Sequence, residues 1–449
     1  MKKVVISVFL INLFILVSCL PKDDYVIPLS SFDVKPTDKA AVVKLSQVND
    51  KWHITVDGKD FYIKGVAANN FYERAIDYGA NVVRTYGLND STQQILDDAA
   101  KNGLYVNFGL YVKRERDGFD YNNAEKVKEQ FDEMKAIVKR FKDHPALLIW
   151  SIGNEAESAY SNLKLWDAIQ DIAKMIHEID PNHPTTTALA SSNVDNIKSI
   201  IAKAPDIDIL SINTYAPNLP GVLANLTTAG WVKPYMITEF GPRGTWQMGP
   251  EPTRILPWGG LVEQTSTEKA ADYLNAYQNN IISNKDKGCI GSFVFLWGYQ
   301  KHGEVLNWYG LFDKQGCTYA AVDEMQFVWT GKYPANKAPT IASRKDMKMN
   351  GKIAEDAIIV SIGSNNSASV AASDPDNDPL TYNWLIIEEG GASTDGSLPS
   401  GIDGLIQDST KSSITFTAPN KAGKYRLYVF VKDDNNKKVA SAAIPFLVQ

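Results

Sequence analysis

Leu147-Leu148-Ile149-Trp150-Ser151-Ile152-Gly153-Asn154-Glu155-Ala156-Glu157 is the stretch that decides the fold of this chain. Its opening residues are mostly apolar and form a run of strand length, as in a strand buried on both faces. The run then stops on an amide and a carboxylate. In a parallel barrel the C-terminal strand ends line the active-site mouth, so a polar pair there is placed for chemistry. The competing reading is a helix start, with Asn154 as cap and Glu155 in the first turn. A second stretch, Pro234-Tyr235-Met236-Ile237-Thr238-Glu239-Phe240-Gly241, also finishes on a glutamate. Two strand ends of the same kind count against capping.

Working outward, strands are expected to begin near Phe61, Asn81, Leu104, Leu147, Thr186, Asp206, Pro234 and Gly291, with helical stretches between them. From Ala124 to Phe141 the residues Val127, Phe131, Met134, Ile137, Val138 and Phe141 recur at three- and four-residue spacing, which predicts a helix. Leu163 to Ile179 repeats the pattern, and Asp90 to Asn102 reads as a helix ended by Gly103. Eight βα units over roughly 270 residues fit a (β/α)8 TIM-type barrel. The rival, an open doubly wound sheet, lacks a Gly-rich phosphate loop after its first strand. The barrel is placed at 59–332. A tether and β-hairpin, Val42–Leu45 with Trp52–Val56, occupy 20–58 and flank or plug the barrel bottom. Beyond the Gly331–Pro339 linker, short strands alternate with turns, and 333–449 reads as an immunoglobulin-like β-sandwich. Its Asp374–Asp378 turn reads as a calcium site or, preferentially, a solvated Asx-turn.

The chain has 449 residues and a net charge of −6, with no basic block, so nucleic acid is not an expected partner. Twenty Tyr and ten Trp are a heavy aromatic load, much of it core, which stacking platforms for sugars or other flat ligands would also use. Lys2-Lys3, the apolar run Val4–Val17 and Leu16-Val17-Ser18-Cys19 resemble a bacterial lipoprotein signal. By that resemblance residues 1–19 are the signal segment with Cys19 lipidated. Lys22-Asp23-Asp24 then resembles the acidic signal for export to the cell surface, and the expected location is the outer membrane. Cys289 and Cys317 are open to a disulfide or to two buried thiols. The five scattered His show no metal-ligand spacing, and no metal or cofactor is expected.

In this count Glu155 and Glu239 end strands four and seven, on opposite sides of the mouth. Glycoside hydrolysis needs such a pair, one acid to protonate the leaving oxygen and one carboxylate to attack the anomeric carbon, about 5 Å apart in retaining enzymes. Asn-Glu ending strand four and Glu ending strand seven resemble the clan A glycoside hydrolases, retaining enzymes on a (β/α)8 barrel. The resemblance covers about residues 60 to 330. It implies Glu155 as acid/base, Glu239 as nucleophile and Asn154 as ligand of the 2-hydroxyl. Arg84, in Val83-Arg84-Thr85-Tyr86-Gly87, would keep the nucleophile ionised. Asn213 and Tyr215 end strand six, with Tyr215 bonded to the nucleophile. Trp297 ends strand eight as the aromatic floor of the −1 sugar. The structural alternatives are an ion pair for Arg84 and core packing for Tyr215 and Trp297. Tyr111, Trp246, Trp258, Tyr299 and Trp308 follow strands as further subsites or as plain loop anchors.

The barrel segments are similar to the family 2 barrel module. A lipoprotein barrel followed directly by one Ig-like domain is similar to glycoside hydrolase family 158, which implies endo-cleavage of β-1,3-glucan of laminarin type. The expected partner is a polysaccharide or oligosaccharide. The alternatives are hydrolysis or transglycosylation of another β-glycan, mannan or galactan, and a non-catalytic glycan-binding surface lipoprotein.

Overall fold

A computed structural model describes residues 34–249, 251, 254–302, 305–389, 401–433 and 437–449. The signal-like segment, Cys19 and Lys22–Asp24 lie outside the described residues. Three antiparallel strands come first: β1 (Val43–Val48), β2 (Lys51–Val56) and β3 (Lys59–Phe61). Eight parallel strands then close a barrel: β4 (Ile63–Ala68), β5 (Val82–Arg84), β6 (Tyr105–Leu110), β7 (Leu147–Asn154), β8 (Thr185–Leu189), β9 (Ile209–Asn213), β10 (Tyr235–Phe240) and β11 (Cys289–Trp297).

These strands are buried on both faces, one packing on the barrel interior and the other on the surrounding helices, which is why they read as apolar runs without alternation. Inside, the Phe293 ring fills the space beside Gly65, where a Cβ would lie 2.3 Å from it. Below the barrel the small sheet forms a plug. Val43, Ile54, Val56 and Phe61 join Ile63, Val82, Tyr105, Ile149, Ile209 and Met236 in one apolar cluster. Val43 N–H donates to Asn182 O at 2.9 Å, and Trp52 Nε1 donates to Val232 O at 2.9 Å, tying the sheet to loops that enter β8 and β10.

The helices are α1 (Thr92–Lys101), α2 (Ala124–Phe141), α3 (Lys164–Ile179), α4 (Val194–Lys203), α5 (Val222–Ala229), α6 (Ser266–Ala276) and α7 (Ala320–Thr330). Asn123 caps α2 by accepting from Lys126 N–H at 3.1 Å, and Thr265 with Glu268 forms a reciprocal capping box on α6. A 3-10 turn, Tyr72–Tyr78, stands where the first helix would be, between β4 and β5.

After α7 come β14 (Met347–Met349), β15 (Ile359–Val360), β16 (Asn365–Val370), β17 (Thr381–Glu388), β18 (Ser413–Thr417), β19 (Gly423–Lys432) and β20 (Val439–Val448); a two-stranded ribbon, β12 (Lys301–His302) with β13 (Val305–Leu306), precedes α7. They form two sheets, β14-β16-β18 and β15-β20-β19-β17, and one apolar cluster draws on both. Leu256 and Val262, from the loop after β10, belong to that same cluster. A buried seam of charges and hydrogen bonds accompanies them. Arg426 Nε donates to Glu389 Oε1 at 2.7 Å and its Nη2 to Leu261 O at 2.8 Å. Lys269 pairs with Glu263, and Lys438 with Asp323. The Tyr428 hydroxyl accepts from Leu306 N–H at 2.9 Å. The C-terminal sheets are therefore bolted to the loops that leave β10 and β11 at the barrel mouth.

In the acidic turn, Asp374 Oδ1 accepts the N–H groups of Asp376 and Asp378, the Asx-turn arrangement. Cys289 and Cys317 are two buried thiols rather than a disulfide, and burial pushes the Cys289 thiol up to about 12.

Candidate active site

The ends of β5, β7, β9 and β10 converge on one polar cluster at the mouth. Arg84, 1% exposed at the end of β5, lies at its centre. Its Nη1 donates to Glu239 Oε1 at 3.0 Å, Thr238 O at 2.8 Å and Asn213 Oδ1 at 3.3 Å. Its Nη2 donates to Asn154 Oδ1 at 2.6 Å. Asn213 Nδ2 bridges Asn154 Oδ1 at 3.0 Å and Glu155 Oε1 at 2.9 Å, and Thr238 Oγ1 fixes the Asn213 carbonyl at 2.9 Å. The Arg84–Asn213 couple thus contacts both carboxyls.

Glu239 is only 5% exposed. Two phenols complete its shell: Tyr215 donates to Oε2 at 2.6 Å and Tyr86 to Oε1 at 2.9 Å. Burial raises the Glu239 carboxyl above its ordinary range; the Arg84 charge opposes this, Glu155 adds to it, and the two phenol bonds oppose it. Burial also pushes both phenols well above their ordinary range, so they remain protonated donors. The Arg84 guanidinium stacks 4.5 Å from the Tyr86 ring centroid.

Glu155 is held differently. The chain leaves β7 through two left-handed residues, Gly153 at φ 76° and Glu155 itself at φ 51°. Its N–H donates to Ala188 O on β8 at 2.8 Å. Its carboxyl is half-buried, with the Asn213 amide as its donor. One carboxylate gripped by a cation and two phenols faces another that has more contact with solvent: this is an arrangement for attack from one side and proton transfer from the other.

Residues 95–326, just over half of the chain, match the family model described as "Glycosyl hydrolases family 2, TIM barrel domain". The chain belongs to this family. Among curated relatives of this family 2 barrel, the β-glucuronidase of Sus scrofa is 23% identical over 212 residues, covering 42% of this chain and 29% of that protein. The "Probable mannan endo-1,4-beta-mannosidase F" of Aspergillus flavus is 25% identical over 171 residues, covering 31% and 36%. The chain thus spans about a third of the length of the curated relatives it matches. Among solved structures, Bacteroides uniformis β-glucuronidase aligns over 91% of this chain and 48% of its own, at 12% identity and a TM-score of 0.47. An uncultured Clostridium sp. β-glucuronidase aligns over 65% and 54%, at 19% identity and a TM-score of 0.47.

The family 2 barrel brings Arg84, Asn154, Glu155, Asn213, Tyr215 and Glu239 into contact. Trp246 stands beside them, 62% exposed and edge-on to Tyr215 at 5.6 Å. Tyr111 follows β6 and is 44% exposed, with the Arg114 guanidinium 6.0 Å from its ring centroid. Trp297 is a correction: it is fully buried, its Nε1 donates to Phe71 O at 2.9 Å, and its ring packs on Tyr78 and Phe312. It offers no face to a sugar. The pairing of β11 with β4 shifts register between Phe295 and Trp297, and such a slip sends the following side chain to the other face. Phe295, half-buried and 5.9 Å from the Tyr215 ring, is the β11 aromatic at the mouth. Trp308 and Trp258 are anchors: Trp308 is buried with Nε1 on Arg243 O, and Trp258 packs on the C-terminal cluster. Sequence reasoning passed over Tyr86, although an aromatic two residues beyond a strand-end arginine was a visible signal. It also passed over Thr238 and Phe295.

Proposed function

We propose that this family 2 barrel is a retaining β-glycoside hydrolase that cleaves within a polysaccharide. The observation that carries this reading is the Arg84–Asn213 couple, which contacts both Glu155 and Glu239 while two phenols aim the Glu239 oxygens. In the first step the protonated Glu155 carboxyl gives its proton to the glycosidic oxygen. Glu239 attacks the anomeric carbon, the C–O bond to the leaving sugar breaks, and a glycosyl ester of Glu239 forms. In the second step Glu155 takes a proton from water, the water oxygen attacks the same carbon, and Glu239 leaves as carboxylate. Asn154 is the ligand of the 2-hydroxyl and Phe295 the apolar floor. Arg84, Tyr86 and Tyr215 stabilise the charge that returns to Glu239.

Exposed aromatics after β6 and β10, Tyr111 and Trp246, support a cleft that holds sugars beyond the one being cleaved. Endo-β-1,3-glucanase action of the family 158 kind is the leading substrate reading. The C-terminal strands are read as an Ig-like sandwich, and Cys19 as the lipid anchor that holds the enzyme on the cell surface. A mannosidase name among the relatives keeps β-mannan as the second substrate.

The test is the soluble protein lacking residues 1–19, incubated with laminarin, mannan, galactan and xylan beside Glu155→Gln and Glu239→Gln. Oligosaccharides released from laminarin by wild type alone support the whole reading. Release from another glycan keeps the chemistry and replaces the substrate. Binding without release overturns the catalytic reading in favour of a glycan-binding protein.

A further inference from the structure

Tyr111 leaves β6 between the exits of β5 and β7. A Cβ at Gly87, directly after Tyr86, would lie 3.2 Å from the Tyr111 Cβ, and one at Gly153, just before Asn154, would lie 3.2 Å from the Val112 Cβ. Glycine on either side thus lets Tyr111 and Val112 stand close to the β5 exit that carries Tyr86 and to the turn that carries Glu155. The Tyr111 hydroxyl donates to Asp117 Oδ2 at 3.4 Å, and Arg114 Nε donates to the same oxygen at 2.7 Å. Between them, Lys113 N–H donates to Gln130 Oε1 at 2.8 Å, and the Lys113 carbonyl accepts the Tyr121 hydroxyl at 2.5 Å. The connection after β6 is therefore tied to itself and to α2, while Tyr111 stays 44% exposed.

Glu115 joins that connection to the next one. Its Oε2 accepts Ser161 N–H at 2.7 Å and Asn162 N–H at 3.0 Å, and its Oε1 accepts the Ser161 hydroxyl at 2.7 Å. The three donors belong to the connection after β7, which begins at Glu155. They hold the Glu115 carboxyl below its ordinary range, so an ionised acceptor meets all three. In the proposed mechanism Glu155 protonates the leaving oxygen, so the leaving sugar extends from the Glu155 side. Tyr111 stands on that side, whereas Trp246 follows β10, the strand of Glu239. A stacking face helps the reaction only when it is held at a fixed distance from the proton donor. We infer that Tyr111 is the platform for the leaving sugar and that Glu115 is its positioning residue, latching the platform to the loop of Glu155. This rests on the acid/base role proposed for Glu155.

The test compares two kinds of leaving group, a sugar and a fluoride ion. Laminarihexaose is paired with β-laminaribiosyl fluoride, and mannohexaose with β-mannobiosyl fluoride. Tyr111→Ala and Glu115→Ala should each lower the ratio of kcat/KM for the hexaose to kcat/KM for the fluoride by roughly two- to tenfold. Glu115→Gln keeps one acceptor oxygen and should fall between wild type and Glu115→Ala. A merely structural role would lower both rates alike and leave the ratio unchanged. Amide hydrogen exchange at Ser161 and Asn162 reads the latch without turnover and should quicken in Glu115→Ala. An unchanged ratio in Glu115→Ala overturns the inference, and so does a ratio that falls in Tyr111→Ala alone. Turnover of a fluoride without its hexaose keeps the retaining chemistry and rejects the leaving-sugar platform. Turnover of neither pair rejects the two proposed substrates and, with them, this platform.

Discussion

The barrel mouth and the seam with the C-terminal sheets are both built around a buried arginine, Arg84 in one and Arg426 in the other, each about 99% removed from solvent. Arg84 spreads its contacts over Glu239, Asn154, Asn213 and a main-chain carbonyl, and the carboxylate it holds also meets Tyr86 and Tyr215. Arg426 directs its bonds to Glu389 and to Leu261 O, with Glu263 at 3.9 Å. The seam charges neutralise one another in a space closed on all sides. The mouth charges instead converge on an acid, Glu239, placed across from a half-buried second acid. Buried charge as such says little about function; its arrangement toward an opening says more.

Removing a charge should therefore have opposite consequences in the two places. Glu239→Gln is expected to lower kcat on the cleaved glycan by at least about 10³-fold, because in the proposed mechanism it removes the attacking group outright. Arg84 retains three neutral acceptors, so the melting temperature should shift less than in any variant of Arg426. A Glu239→Gln protein as destabilised as a seam variant would show the mouth cluster to be a structural ion pair and would remove the comparison.

The seam should behave as stability. Arg426→Met removes the guanidinium paired with the buried Glu389, and the loss in chemical denaturation is expected at about 3–5 kcal/mol. Activity per folded molecule should hold near wild type. Arg426→Met with Glu389→Leu should recover part of the loss, since the desolvation of a buried carboxylate whose cation is gone, more than the missing attraction, causes it. Equal losses in the single and double variants would show that the ion pair itself stabilises the seam.

How much of this was legible follows from how far apart the cooperating residues lie. The barrel strands start where their apolar runs start, because a strand covered on both faces needs no partner to reveal it. Glu155, Glu239, Arg84, Asn213 and Tyr215 could be picked out because each is a polar residue ending or following such a run. Trp297 was misplaced by a register shift, which leaves no trace in residue types. In the C-terminal sheets, β16 (Asn-Asn-Ser-Ala-Ser-Val) and β20 (Val-Ala-Ser-Ala-Ala-Ile-Pro-Phe-Leu-Val) were not read as strands. In β16 small and polar residues with low strand preference hide an alternating burial, whereas β20 is buried along nearly its whole length and its Ala-Ser-Ala-Ala run and Pro445 mask it. The seam pairs join residues as distant as Asp323 and Lys438, with no periodicity to connect them.

Within the mouth, the shell of Glu239 is expected to divide unequally. Tyr86→Phe removes one hydrogen bond to the carboxylate, worth about 1.5–3 kcal/mol, and should lower kcat/KM by roughly 10- to 100-fold. The ring remains to cover Arg84, so the stability change should be small. If Tyr86→Phe has wild-type kinetics, Tyr215 alone orients Glu239, and the second phenol belongs to packing.

The smallest effect separates the two sides of one loop system. Trp246 and Trp308 both lie beyond the strand ends, but Trp246 is mostly exposed beside Tyr215, while Trp308 is buried with its indole N–H on Arg243 O. A sugar ring on an exposed aromatic face gains about 0.5–1.5 kcal/mol, so Trp246→Ala should raise KM for the polymer by roughly two- to tenfold. Hydrolysis of a short aryl glycoside, which does not reach that face, should be unchanged. Trp308→Ala, by contrast, opens a cavity and should cost about 3–5 kcal/mol of stability. A Trp246→Ala variant that weakens the aryl glycoside as much as the polymer would place Trp246 with Trp308, as a brace for Tyr215 rather than a platform for substrate.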